Sequence, residues 1–410
     1  MTTLTLSRRF PWLTPGFLAW IAFLAVLILI GLVAAAEVLL KGLEVTNLTD
    51  AVPWGLWITI DLSAIALGAG AFTLSAVVYL FGLKRFRSIV RLAVFIGFIG
   101  YTTALLTLVM DIGRPDRFWH PWVYWNVHSV LWEITMAITI YTAILVIEFA
   151  PVIAELRWFA RYSVPRRIAH SIHRATPVMA VTGMLISLIH QSSLGATYGI
   201  LRSRPIWFKP SMPIMFVISA IAVGPAVAMA ASYVVEWVTG RRAVPHDILN
   251  TIARFSGFGL LLYAYIKLWD LAAVSYYGRS PATSQALFLL NQQTPYGFGF
   301  WVGEMILGIV IPVILFLVPR FRRNPFNLVL GAGLAMLGVV FNRWNVTVSG
   351  LVVPLAYSPG TLVQAQPQPY VPNLVEWGVA MGVVGYALLA FTLGVRFLPL
   401  FSERRKAEPS

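Results

Sequence analysis

The chain has 410 residues, of which 59% are hydrophobic and 11% are charged, and its mean hydropathy is +0.78. A soluble protein has about 45–50% apolar and about 25% charged residues, so this composition excludes a water-soluble globular fold. The chain has no cysteine, which excludes iron–sulfur clusters, c-type haem attachment and disulfides on it. The net charge of +14 lies in clusters between apolar runs, and we interpret it as a topology signal and not as nucleic-acid binding.

Ten apolar runs are long enough to cross about 30 Å of hydrocarbon as helices. We therefore predict an all-α integral membrane protein with a single membrane domain over residues 1–410. The first run is interpreted as a retained helix and not as a cleaved signal peptide. The predicted helices span residues 17–39, 54–82, 90–111, 128–150, 173–195, 212–238, 248–270, 298–319, 326–349 and 374–400.

Lysine and arginine alternate between the two sides of the predicted helices. Cytoplasmic connections carry most of the basic residues in membrane proteins, so both termini are predicted to be cytoplasmic. This orientation requires an even number of helices, and ten is even. The basic side receives Arg8, Arg9, Lys84, Arg85, Arg87, Arg91, Arg157, Arg161, Arg166, Arg167, Arg174, Arg241, Arg242, Arg254, Arg320, Arg322, Arg323, Arg404, Arg405 and Lys406.

Five titratable residues fall in the outer third of the second to fifth helices: Asp61, Asp111, His128, Glu133 and His190. An ionisable side chain in hydrocarbon costs about 3 kcal/mol or more, so each needs a partner or a function. Sequential helices with short connections are usually neighbours, and we expect the five side chains to face one bundle interior. Oxidation of a quinol releases two protons with two electrons, and histidines and buried carboxylates suit that proton transfer. The alternative is that these residues cap helix ends and pair.

Two further features adjoin this group. Glu148 lies near the inner end of the fourth helix, and with Tyr141 it forms a predicted proton path towards the cytoplasm. Arg114 and Arg117 lie between the third and fourth helices. That connection is either a structured interfacial loop or a lid over the group and a docking surface for an outer partner.

The last four helices carry a second polar set. Glu304 and Arg343 form a predicted polar cluster of a second bundle, and Glu376 begins the tenth helix. Pairing across helices and a functional role are both open for these three residues. Lys267 and Asp270 lie one helical turn apart, and we predict a local ion pair between them.

The histidines argue against haem. A membrane cytochrome with two haems needs four histidines, paired on facing helices at two depths, and the chain has six histidines without that arrangement. We therefore predict no haem, no iron–sulfur cluster and no metal site on this chain. A partner must then bring single-electron centres close to any quinone that the chain binds.

Four motifs resemble the NrfD/PsrC family of polytopic membrane subunits, most closely its ten-helix branch, which includes HybB, DsrP and ActC. The likeness covers roughly residues 50–395 and is weaker after the fifth helix. The motifs are Trp54-Gly55-Leu56-Trp57 followed by Asp61; Asp111-Ile112-Gly113-Arg114-Pro115; Trp125 to Glu133; and His190-Gln191-Ser192-Ser193-Leu194-Gly195.

The resemblance implies two four-helix bundles, residues 54–195 and 212–349, flanked by helices 17–39 and 374–400. It implies a haem-free site for menaquinone or ubiquinone near the outer face of the first bundle. A ferredoxin-like iron–sulfur subunit would dock on the periplasmic face, attached to a catalytic subunit of hydrogenase, molybdoenzyme or sulfur-metabolism type. Mapped onto this sequence, His128, Asp61 and Glu133 are the quinone and proton residues, supported by Asp111, Arg114 and His190.

Two functions follow from these observations. The first is a quinone-reactive subunit of a respiratory oxidoreductase in the inner membrane of a bacterium or archaeon, with proton translocation as an extension. The second is a secondary transporter, because two bundles with buried carboxylates also suit coupled transport. Transport sites usually lie near the midplane on broken helices, whereas the acids here are predicted nearer the outer surface. A co-purifying iron–sulfur partner would favour the first function.

Overall fold

A computed structural model describes residues 14–156, 163–240, 244–278, 281–292, 294–353 and 369–401. These residues form helices, turns and loops, without a strand among them. Ten helices among the described residues are long and apolar enough to cross a membrane, which confirms the predicted all-α class and the helix number. In chain order, α1 to α10 are Pro15–Lys41, Leu56–Tyr79, Lys84–Asp111, Val130–Ala154, Ala175–Gly199, Met212–Thr239, His246–Tyr277, Tyr296–Leu317, Pro325–Val352 and Leu374–Phe397.

The cytoplasmic placement of the termini stays a prediction. Several of the basic residues on which it rests lie outside the described residues: Arg8, Arg9, Arg157, Arg161, Arg241, Arg242, Arg404, Arg405 and Lys406. The described helix that contains α5 begins at Ser163, before the apolar span itself. One helix was missed, since Pro281–Gln292 falls within the predicted connection after α7.

Side-chain caps explain where two helices begin at the end of the bundles that the sequence predicts to face the periplasm, which we call the outer end. The Ser129 side chain accepts a hydrogen bond from the backbone of Trp132, so α4 begins at Val130 and His128 precedes it. Asn373 caps α10 because its side chain accepts a hydrogen bond from the backbone N–H of Glu376. The side chain of Glu376 in turn accepts one from the backbone N–H of Asn373, which completes a capping box. Both caps satisfy backbone N–H groups that the first turn of a helix leaves free.

The helices pack in two groups. Helices α2 to α5 contact one another, and we call them the first bundle; α6 to α9 do the same and form the second bundle. Helix α1 lies along α10, and α10 also contacts α3. The two bundles meet where α2 and α3 pack on α6 and where α9 packs on α2. The domain boundaries given from the sequence stay a prediction.

A glycine contact holds the bundles close together. Helix α2 consists of Leu56–Leu67 and Gly70–Tyr79, with a break between them. A Cβ atom on Gly70 would lie 2.5 Å from the carbonyl oxygen of Gly224 on α6. Two backbones approach this closely only when neither residue has a side chain, so glycine at both positions sets the distance between the bundles.

Two helices of the second bundle widen at the same level. Helix α8 is a π-helix over Gly299–Val310, and α9 is a π-helix over Asn345–Ser349. π-Helical segments are rare in proteins, and those that occur are often found at functional sites. The π-helical segment of α8 contains Glu304. The π-helical segment of α9 begins at Asn345, whose side-chain amide donates a hydrogen bond to Glu304. The hydropathy pattern gave no sign of either widening.

Candidate functional site

Two carboxylates occupy the outer end of the first bundle. Asp61 on α2 is buried, and Asp111 ends α3 with its side chain half-buried. One oxygen of each, Oδ1, is shielded from solvent and has no hydrogen-bond partner among the described residues. The two groups are close enough to repel each other electrostatically. The structure thus brings together two of the acids that the sequence predicted.

A histidine lies deeper between α5 and α3. His190 is fully buried, and its Nδ1 atom is 3.2 Å from the hydroxyl of Tyr101, while Nε2 has no partner among the described residues. Tyr101 also lies within electrostatic reach of Asp61. The next residue on α5, Gln191, is fully buried as well, and neither atom of its amide has a described partner.

Glu133 faces α5 from α4. Its Oε1 atom accepts a hydrogen bond of 2.8 Å from the hydroxyl of Ser193, and its side chain is half-buried. Ser193 lies one turn beyond His190, so the fifth helix presents both residues near the outer end of the bundle. The described contacts therefore join Glu133 to the helix of His190, though not to Asp61 directly.

The loop between α3 and α4 holds the remaining predicted residues at the surface. His128 is exposed in the turn before α4. Arg114 is also exposed, and its guanidinium bonds to Asp116 at 3.1 Å, an interaction that lowers the pKa of that carboxyl. The described contacts do not bring His128 or Arg114 together with Asp61, and their predicted roles stay predictions.

The structure describes both residues of the predicted proton path, Tyr141 and Glu148. The ring of Tyr141 on α4 lies 4.6 Å from that of Tyr101, centroid to centroid, and both residues are buried. Glu148 is half-buried seven residues further along the same helix, about 10 Å deeper at 1.5 Å per residue. Positions seven apart share a helix face, so Tyr141 and Glu148 point to the same side of α4.

The first bundle therefore contains buried hydrogen-bond acceptors and donors that have no described partner. Carboxylate oxygens can accept hydrogen bonds, an imidazole nitrogen can accept or donate, and an amide can do both. Buried polar atoms are nearly always paired in native proteins, so several unpaired ones in one region indicate a ligand or ordered water. Here they lie on Asp61, Asp111, His190 and Gln191.

The second bundle is arranged differently, because its buried acid has a full set of donors. Glu304 is 1% exposed. Its Oε1 accepts from Lys267 at 2.5 Å and from Tyr263 at 3.0 Å, and both of its oxygens accept from asparagine amides of α9 at 2.9 Å. Asp270 bonds to Lys209 at 2.6 Å instead. The predicted local pair of Lys267 with Asp270 is therefore wrong, since each finds a partner on another element.

Arg343 is buried, and no carboxylate of the described residues lies within ion-pair distance of it. It donates to Asn342 at 2.7 Å and to Ser219 at 3.0 Å, and its guanidinium carbon lies 3.6 Å from the centroid of the Phe216 ring. Its Nε atom has no hydrogen-bond partner among the described residues. Arg343 and Glu304 belong to one network through Asn342, which bonds to both.

Metal ligands do not cluster in the described part of the chain. No group of three or more histidine or acidic side chains there has the geometry to hold a metal ion.

The family model described as polysulphide reductase, NrfD, matches residues 44–355. The chain belongs to the NrfD family. The resemblance drawn from the four motifs is thereby confirmed. Membership and the ten apolar helices together make it a multi-pass protein of the bacterial or archaeal inner membrane.

Three relatives show how broadly the family is used. The chain is 35% identical to the integral membrane subunit of menaquinone reductase from Nitratidesulfovibrio vulgaris, over 94% of this chain and 92% of that protein. It is 25% identical to the integral membrane subunit of the Hdr-like menaquinol oxidoreductase from Archaeoglobus fulgidus, over 95% and 96%. It is 26% identical to the probable Ni/Fe-hydrogenase 2 b-type cytochrome subunit from Escherichia coli, over 91% and 90%. NrfD-family relatives are membrane subunits of quinone-linked oxidoreductase complexes.

Several residues of both sites were missed from the sequence. Tyr101 and Gln191 belong to the first bundle, and Lys209, Asn342 and Asn345 to the second. Gln191 could have been found, because it follows His190 directly in a quoted motif. The others are a tyrosine, a loop lysine and two asparagines, and nothing in the sequence distinguishes them from other residues of the same types. Their role is visible only from their contacts with other helices.

Proposed function

We propose that the chain is the haem-free quinone-reactive subunit of a respiratory oxidoreductase, and that the quinone ring binds at the outer end of the first bundle. The observation that supports this is that neighbouring helices of the first bundle carry buried polar atoms without described partners, on Asp61, His190 and Gln191. A quinone has two carbonyl oxygens that need donors, and the quinol has two hydroxyls that need acceptors. This set supplies both.

The protein's part in the reaction is proton transfer. Asp61 Oδ1 or His190 Nε2 accepts a proton from a quinol hydroxyl, or delivers one to a quinone oxygen in the opposite direction. Asp111 ends α3 and lies within electrostatic reach of Asp61, and we propose that water carries the proton from Asp61 past Asp111 to the outer surface. Glu133 supports the helix that carries His190 through its bond to Ser193.

The electrons pass to a partner. The cysteine-free chain offers no ligand for an iron–sulfur cluster, so we propose a ferredoxin-like iron–sulfur subunit docked on the periplasmic side, joined to a catalytic subunit. The sequence predicts that the loop with Arg114 and His128 faces the periplasm, and we propose this exposed loop as the docking surface. The names of two relatives, menaquinone reductase and Hdr-like menaquinol oxidoreductase, support menaquinone as the quinone type.

An inward proton path would make this reaction electrogenic. Tyr101 bonds to His190, Tyr141 packs on Tyr101, and Glu148 lies further in on the same helix as Tyr141. We propose that protons move between the cytoplasm and the quinone along these residues. Replacing Glu148 by glutamine should then abolish charge movement in proteoliposomes and leave quinone turnover intact. Unchanged charge movement would remove this path.

The test of the site compares buried and exposed residues in the purified complex. We expect Asp61→Asn and His190→Gln to lower the rate with a menaquinol analogue about 10²-fold or more, the usual contribution of an acid–base group. His128→Gln tests whether the quinone also contacts the loop between α3 and α4. A similar loss of rate would place the quinone under that loop, and an unchanged rate would confine it to Asp61, His190 and Gln191. Asp50→Asn, an exposed acid, is the control. Wild-type rates in both buried variants would refute the proposal.

A further inference from the structure

Five charged side chains lie together at the outer end of the second bundle: Lys209, Lys267, Asp270, Glu304 and Arg343. Two lysines pair with the two acids, Lys209 with Asp270 at 2.6 Å and Lys267 with Glu304 at 2.5 Å. Arg343 has no carboxylate within ion-pair distance among the described residues. Ionised throughout, this group carries three positive charges and two negative ones inside a largely apolar wall.

The two lysines share a small cavity. Its volume is about 40 Å³, and its polar lining consists of Lys209, Lys267, Asp270, Asn342 and Asn345. A buried water needs roughly 10–15 Å³ of such volume and two to four polar partners, so the cavity can hold a few water molecules. Asn345 is 3% exposed, and its Oδ1 atom has no described hydrogen-bond partner, which leaves one acceptor for such a water.

Glu304 is a poor proton acceptor in this group. Tyr263, Lys267, Asn342 and Asn345 all donate to it, and hydrogen bonds donated to a carboxylate favour its ionised form. Arg343 keeps its charge because a guanidinium stays protonated in proteins. A lysine is therefore the group that can remove the surplus positive charge.

Lys209 is the better placed of the two lysines. The two side chains are similarly buried, 14% exposed for Lys209 and 11% for Lys267. Lys209 belongs to the loop between α5 and α6, whereas Lys267 lies within α7, 5.2 Å from the centroid of the Phe300 ring. Burial lowers the pKa of Lys209, and this is the largest effect; the charge of Lys267 also lowers the pKa, and that of Glu304 raises it. Asp270 opposes this effect, and Asp270 also has a second donor in Ser211, at 3.1 Å.

We propose that Lys209 exchanges a proton with water through this cavity, so that the second bundle holds a proton-transfer site of its own at its outer end. The ammonium group of Lys209 gives one N–H proton to a water molecule, and a neutral amine remains. The group of five then has equal numbers of positive and negative charges. Return of the proton restores the ion pair with Asp270. The quinone assignment in the first bundle is not needed for this step.

Amine labelling of the intact purified complex tests the proposal, because only neutral amines react. Acetic anhydride is applied over a series of pH values, and modification of each lysine is measured by mass spectrometry. Lys41 is an internal control, since it is an exposed lysine paired with Glu37 at 2.9 Å. We expect half-maximal labelling of Lys209 at a pH at least about one unit below that of Lys41.

Two variants address the cause. Arg343→Gln removes the surplus charge and should move the labelling curve of Lys209 up in pH, towards that of Lys41. Arg320→Gln, an exchange at an exposed arginine, should leave the curve in place. Should Arg343→Gln fail to fold, the wild-type curve still decides.

Three results would overturn the proposal. Lys209 could titrate together with Lys41, or it could resist the reagent at every pH, which would deny it contact with water. The third is a curve that moves when chloride is replaced by a bulky anion. In that case a small anion, and not loss of a proton, compensates the surplus charge.

Discussion

Replacing Glu304 by glutamine isolates the energetic role of the buried charge network, because the two side chains have nearly the same volume. Glutamine removes the negative charge that faces Lys267 and converts one acceptor oxygen into an NH2 group. The NH2 group would face groups that are themselves donors: the amide of Asn345 if it takes the place of Oε2, or Tyr263, Lys267 and Asn342 if it takes the place of Oε1. Lys267 would remain buried without a counter-charge.

The expected loss follows from these contacts. Breaking a buried ion pair by removing one partner costs about 3–5 kcal/mol. We therefore expect Glu304→Gln to lower the free energy of unfolding by about 3–5 kcal/mol. Adding Lys267→Met should recover most of this loss, because replacing both members of a buried pair by uncharged groups of similar size is often neutral.

The assay is denaturant-induced unfolding of the detergent-solubilised protein, followed by circular dichroism. Glu37→Gln is the matched control, since it is the same exchange in the exposed pair of Glu37 with Lys41, and it should leave the transition unchanged. Two outcomes would refute the reasoning: Glu304→Gln as stable as Glu37→Gln, or a double variant no more stable than Glu304→Gln alone.

Three other predictions concern single residues. Gly70→Ala should destabilise the protein by about 1–3 kcal/mol, because the new Cβ atom would clash with the backbone of α6. Gly333→Ala is the matched control, since the space around Gly333 is open, and it should stabilise the protein by about 0.5–1 kcal/mol. The same unfolding assay measures both variants. Asn373→Ala removes the cap of α10 and should cost about 1 kcal/mol in that assay, and an unchanged transition would show that the cap is not needed. Gln191→Leu should raise stability by about 1 kcal/mol or more, since it removes a buried amide without described partners, while raising the KM for the menaquinol analogue; lower stability with an unchanged KM would show that the amide serves packing.

The number of helices and their approximate places follow from the sequence alone. Ten apolar runs predicted ten spans in the described part of the chain, and most ends agree to within four residues. The exceptions are α3, which begins six residues early at Lys84, α7, which continues to Tyr277, and the helix that contains α5, which begins at Ser163. The reason is that hydrocarbon demands about 20 apolar residues for each crossing, a requirement that acts on each segment separately. The same logic marked Asp61, Asp111 and His190 as residues in need of a partner or a function.

Which polar groups contact one another became clear from the packing of the helices. Lys267 and Asp270 looked like a pair one turn apart, yet a pair along one helix is worth only about 0.2–0.5 kcal/mol. A buried charge gains more from donors on other helices, so Lys267 bonds to Glu304 and Asp270 to Lys209. The π-helical segments of α8 and α9 and the exposure of His128 likewise depend on how helices far apart in sequence pack, which local pattern does not encode.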